Sequence, residues 1–128
     1  MLYVARTTIT VERENGDVLC ERCVVGDTFW TRLRGLVGRK QLAESEGLLI
    51  RPAASVHTLF MRFPIDVVFL DRENRVLKVV PALRPRRLAA ARRARRVLEL
   101  SAGVCAHAGL AAGERLELVP GVPKESRT

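Results

Sequence analysis

The chain has 128 residues, 48% hydrophobic and 28% charged, with a formal net charge of +8. That length and balance suit one domain with a real core, 1–128, and exclude a low-complexity or disordered chain. No run reaches the ~18 consecutive apolar residues of a membrane-crossing helix, and three cysteines are too few, and odd in number, for a disulfide-built secreted scaffold.

The N-terminal stretch MLYVARTTITVERENG reads as a strand rather than a signal peptide, so a cytoplasmic location is expected. YVARTTITVE and VLCERCVV flank RENGD, where Asn15-Gly16 suits a turn needing positive φ; the pair predicts a β-hairpin. GDTFWTRLRGLVGRK predicts a short helix capped by Asp27 or Thr28, with Phe29, Trp30, Leu33, Leu36 and Val37 as its apolar stripe. GLLIRP is a short strand stopped by Pro52. SVHTLFMR, IDVVFLD and RVLKVV are further strands, rich in β-branched and aromatic residues, with DREN as the polar turn between the last two. VLEL and RLELV are strands, and the Ala-rich AGVCAHAGLAAG between them is a short helix ended by glycines. Many short strands with little helix predict a mainly β protein of β-rich α+β type, a compact antiparallel β-sandwich or barrel with two or three short helices. Residues 119–128 read as a loosely ordered tail.

Charge is localised. Arg84 to Arg96, RPRRLAAARRARR, holds seven arginines and no acid, which leaves the rest of the chain near balance. It reads as a basic surface segment, helix or loop, able to hold phosphates by charge. It has no interleaved aromatics for base stacking.

At this level, three constellations could carry chemistry. Cys20 and Cys23 have half-site spacing for zinc or redox work. No second pair exists, however, and an ideal strand points the two thiols to opposite faces. No metal site or cofactor is therefore expected. Cys105 and His107 are two apart, about 200° around a helix, so they do not form a nucleophile–base pair; sequence leaves a Cys105–His57 pair open. His57, Arg62 and Asp66 lie in VHTLFMRFPIDVVFLD. On straight strands they cannot share one face, and only a turn at Phe63-Pro64 could bring Arg62 to Asp66. Asp66 is read as a structural carboxylate that accepts nearby N–H groups, with Arg62 as its charged partner.

The blocks DTFWTRLRGLVGRKQLAESEGLLI, FMRFPIDVVFLD, VLELSAG and GLAAGERLEL together resemble the family called domain of unknown function 192, from about Val25 to Leu118. The resemblance rests on Arg32 to Leu36 (R-x-x-G-L, with Gly35), Phe60-Met61, Pro64-Ile65-Asp66, and Leu98 to Gly103 (L-E-x-x-x-G, with Glu99). It implies a compact, mostly antiparallel β fold with short helices and marks Arg32, Gly35, Leu36, Pro64, Asp66, Glu99 and Gly103 as a shared motif, leaving open whether Pro64-Ile65-Asp66 serves fold or function. It implies no activity. The step from the aromatic-Met pair to the proline is shorter here than in many members.

The leading functional expectation is a non-catalytic binding or accessory module for an anionic or phosphate-bearing ligand, held by Arg62, Arg84, Arg86 and Arg87. One alternative is a small enzyme with Asp66 and either His57 or Arg62 as an acid–base pair. The other is non-specific nucleic-acid binding through Arg84–Arg96.

Overall fold

The computed structural model describes residues 7–26, 42–59 and 61–121. The strands are β1 (Thr8–Arg13), β2 (Val18–Gly26), β3 (Glu46–Ile50), β4 (Ser55–His57), β5 (Ile65–Leu70), β6 (Val76–Leu83), β7 (Leu88–Ala90), β8 (Arg96–Ser101) and β9 (Leu116–Pro120). One short helix, α1 (Val104–Ala108), lies between β8 and β9. The predicted helix after Asp27, with Arg32, Gly35 and Leu36, lies outside the described residues, as does everything beyond Gly121.

Seven strands form one sheet in the order β6-β5-β8-β3-β2-β1-β9, and β4 and β7 form a separate two-stranded ribbon. The pairing is antiparallel except for β2 beside β3, which is parallel. The sheet is thus mostly antiparallel, as expected, with one parallel junction. A parallel pair needs a long crossover rather than a hairpin, and residues 27–45 provide the length. The sheet curls until its edges meet at an Arg75–Arg115 bridge, where Val76 N–H donates to Glu114 O at 2.7 Å. The result is a mainly β half-barrel.

Both hairpin turns use the same device. At Arg13–Asp17 the Gly16 N–H donates to Arg13 O, and Gly16 takes φ +92°. At Asp71–Arg75 the Asn74 N–H donates to Asp71 O, and Asn74 takes φ +64°. Each is a tight turn closed by one left-handed residue, the role for which Gly and Asn suit best.

Every residue of β5 is buried, so the sheet is covered on both faces there. Val68, Leu70, Leu98, Leu100 and Leu49 point to one face, with Cys105 and Leu110 from α1 and its C-terminal turn. Ile65, Val67, Phe69, Val97 and Leu48 point to the other, beneath Val56 of β4 and Ala89 of β7. Fully burying one such side chain stabilises the fold by ~1.5–3 kcal/mol. The helix and the ribbon thus cover opposite faces of the same central strands, which fixes where the polar residues go.

Candidate functional site

Asp66 is fully buried in the middle of this apolar packing. Its Oδ1 accepts the Ala82 N–H at 2.8 Å. Its Oδ2 accepts the N–H groups of Gly103 at 3.1 Å and Cys105 at 2.9 Å. Each donor needs it for a local reason. In β6 the register slips between Val80 and Leu83, and the bulge at Pro81-Ala82 turns the Ala82 N–H off the ladder. α1 begins at Gly103, which has no side chain with which to cap it; Asp66 supplies the acceptor from another strand. The carboxylate therefore ties a sheet bulge to a helix start, and joins the Pro64-Ile65-Asp66 block to the Leu98–Gly103 block.

Arg62 is not its partner, and the expected ion pair is corrected. Arg62 is exposed, and all three bonds to Asp66 come from backbone N–H groups. The fully buried carboxylate is reached from within, whereas the Arg62 side chain turns to solvent. His57 lies on the ribbon, opposite Leu88. Because the ribbon and α1 cover opposite sheet faces, the sheet itself separates His57 from Asp66. The three residues do not converge.

A different residue holds the segment around His57. Thr58 is fully buried. Its hydroxyl donates to Arg84 O at 2.6 Å and accepts the Arg87 N–H at 2.8 Å. Its own N–H donates to Arg87 O at 2.9 Å, and its carbonyl accepts from Arg86 and Met61. These bonds end β4 at His57, although the sequence pattern predicts a strand on to Arg62. They also pin the arginine segment, in which Arg86 takes φ +63°. Thr58 carries no local sequence signal, since its partners are 26 and 29 residues away.

Structure also changes the reading of the cysteines. Ile9 pairs with Cys23 and Val11 with Cys20, so three steps of β2 oppose two of β1. The bulge cancels strand alternation, and both thiols face the α1 side of the sheet, buried. The Cys20 thiol points to Ser45 O at 3.6 Å. The Cys23 thiol is pushed up by its hydrogen bond with Cys20 and then by burial. Gly47, opposite Cys23 on β3, makes room: a Cβ there would lie 2.9 Å from Cys20 Sγ and 3.0 Å from Glu99 O. Cys105 is pushed up to about 12, first by burial and then by the Asp66 charge. Thiols held protonated in this way are poor nucleophiles and poor metal ligands. Among the described residues no three metal-ligating side chains converge.

The arginine segment is neither a helix nor a mobile arm. It is a turn at Pro85-Arg86, then β7, then a turn at Arg92-Arg93. Arg84, Arg86, Arg87, Arg92, Arg93 and Arg95 are exposed. Arg96 is half-buried and donates through Nη1 to Arg72 O and Asn74 Oδ1 at 3.0 and 3.1 Å. That clamp brings together residues distant in sequence. Arg51, Pro52, Arg72, Arg95 and Arg96 line one open recess of about 490 Å³, with no acid among the described residues of its wall. Two carboxylates flank Arg72 in sequence: Glu73 is exposed, and Asp71 is engaged within its own turn. Its Oδ1 accepts the Arg75 and Glu73 N–H groups at 2.9 and 2.8 Å, and the Arg75 bond first of all holds it below the usual range. A second groove, of about 710 Å³, opens between β2 and α1 and is lined by Glu21, Glu44 and His107. It lies beyond the start of β3 and the end of β8, whereas the arginine recess lies beyond the end of β3 and the start of β8, so the two openings are at opposite ends of these strands.

No curated protein matches this chain. Among solved structures it is similar to a candidate transcription regulator from Sinorhizobium meliloti 1021, with 21% identity, 92% of this chain and 97% of that one covered, and a TM-score of 0.76. It is also similar to a protein of unknown function from Novosphingobium aromaticivorans DSM 12444, with 24% identity, 86% and 83% coverage, and a TM-score of 0.72. Identities this low show a shared fold. The family model for domain of unknown function 192, described as "Uncharacterized ACR", matches residues 10–118. The chain belongs to that family.

Proposed function

We propose that this domain is a non-catalytic accessory module that binds a phosphate-bearing anion in the recess formed by Arg51, Arg72, Arg95 and Arg96. The observation that carries this reading is the lining itself: among the described residues it consists of four arginines and a proline, with no acid. Arginine is suited to the task because its planar fork binds phosphate oxygens in pairs and stays charged at any ordinary pH. Arg96, held by the 71–74 turn, fixes one side of the recess before a ligand arrives. The exposed arginines of the segment add long-range attraction.

Acid–base catalysis by Asp66 with His57 draws no support from the geometry. Asp66 already accepts three backbone N–H groups in a fully buried position, and His57 lies across the sheet. Sequence-independent nucleic-acid binding is a second reading, favoured by the exposed arginines along the ribbon. The structural neighbour described as a candidate transcription regulator is in keeping with it.

Calorimetric titration with inorganic pyrophosphate at low ionic strength tests the leading reading. Arg72→Gln with Arg95→Gln is expected to weaken binding ~100-fold, on the scale of two charge-assisted contacts. Equal binding by parent and variant would reject the recess as the site.

A further inference from the structure

The far end of the ribbon combines features that a phosphate recess does not explain. Leu88 is 74% exposed and Leu59 54% exposed; they are two of the three large apolar side chains exposed among the described residues. Leu88 pairs with His57, and Leu59 follows two positions later, so both lie at the same end. Arg84, Arg86 and Arg87 are exposed beside them. Neither 52–65 nor 74–98, the stretches that build the ribbon, contains a single acid.

This end is also rigid. The Thr58 hydroxyl and backbone anchor Arg84, Arg86 and Arg87 through bonds of 2.6–2.9 Å. Exposed leucines are thus held out toward solvent on a fixed knuckle instead of folding back. Leucines gain nothing from a phosphate ion or a nucleic-acid backbone. Among the described residues here, the exposed apolar groups are aliphatic, whereas bases are gripped by stacking on aromatic rings. Two apolar side chains ringed by cations match an anionic bilayer, where acyl chains take the leucines and headgroup phosphates take the arginines.

We propose that the β4–β7 end docks the domain reversibly on an anionic lipid surface, with Leu59 and Leu88 entering the interface and Arg84, Arg86 and Arg87 on the headgroups. This rests on the anion-binding reading and extends it to a second, separate patch.

The test is co-sedimentation of the full chain with phosphatidylcholine vesicles, with and without phosphatidylglycerol. The parent should sediment only with the anionic vesicles. Arg86→Gln with Arg87→Gln should weaken this about 30-fold, since each basic residue near such a surface contributes roughly five- to sixfold. Leu59→Ser with Leu88→Ser should abolish it while leaving the unfolding midpoint unchanged, because both side chains are exposed. Undiminished sedimentation of the leucine variant would overturn the proposal, since the attraction would then be charge alone. Binding of a single-stranded oligonucleotide but not of vesicles would also overturn it, in favour of nucleic acid. A dimer of the parent that disappears in the leucine variant would overturn it in favour of a second copy. Pyrophosphate binding by the parent separates the two claims: if it persists while vesicles fail, the recess reading stands and the lipid proposal falls.

Discussion

Replacing Asp66 by alanine removes the acceptor for three backbone N–H groups at once, those of Ala82, Gly103 and Cys105. Hydrogen bonds to a charged group contribute ~1.5–3 kcal/mol each, and a buried donor left unmade costs ~1–3 kcal/mol. The Cys105 bond is buried and its donor has no route to water, whereas those of Ala82 and Gly103 are partly buried and regain some hydration. The sum is about 3–5 kcal/mol, a large part of the ~5–15 kcal/mol that stabilises an ordinary domain. Asp66→Asn keeps one oxygen for the Gly103–Cys105 pair but sets an amide N–H against that of Ala82, so about 1–2 kcal/mol is expected. Urea unfolding with an unchanged m-value is the assay. Arg62→Ala should be nearly neutral, and its effect should add to that of Asp66→Ala because the two residues share no contact. A loss below ~1 kcal/mol for Asp66→Ala, or strong coupling to Arg62, would refute the structural role argued here.

Other consequences follow from the interior. Thr58→Val keeps the shape but loses the bonds to Arg84 O and Arg87 N; a cost of about 1–3 kcal/mol and faster amide exchange across 84–88 are expected, checked by urea unfolding and hydrogen exchange. Gly47→Ala forces a methyl against Cys20 Sγ and Glu99 O, and should cost about 1–3 kcal/mol by the same unfolding assay, partly relieved by Cys20→Ala. All three thiols should resist a thiol-specific disulfide reagent in the native protein at pH 8 and react fully in denaturant. A thiol whose folded pKa is raised contributes stability that is complete below its unfolded value and lost as pH climbs toward the folded one. For Cys105 that window runs from the ordinary 9.0 to about 12, so unfolding midpoints should fall on alkaline titration, and less so in Cys105→Ala.

Local patterns made much of the architecture legible. The runs IDVVFLD and VLEL are β-branched and leucine-rich, and Asn15-Gly16 and DREN marked the turns of the β1–β2 and β5–β6 hairpins. Sequence reading missed what depends on a partner strand. Cys20 and Cys23 share a face only because β1 pairs with them two steps against three. β4 stops at His57 because Thr58 bonds to a segment that comes much later in the chain. Asp66 was legible as a carboxylate serving backbone N–H groups, but its donors lie 16, 37 and 39 residues away rather than in the adjoining turn. The recess left no motif at all: Arg51 follows β3, Arg72 follows β5 and the Arg95-Arg96 pair opens β8, and only the pairing of β8 with both β3 and β5 brings them together. The arginine-dense segment 84–96 contains Arg95 and Arg96 of the recess but neither Arg51 nor Arg72.

Backbone and arginine side-chain Nε–H resonances of the full chain, followed during titration with inorganic pyrophosphate, test the recess most directly. Saturable shifts are expected at Arg51, Arg72, Arg95 and Arg96, weakening with salt, with none at Glu21 or His107 on the α1 side. Uniform small shifts spread over all the exposed arginines, with no saturation at those four, would contradict it.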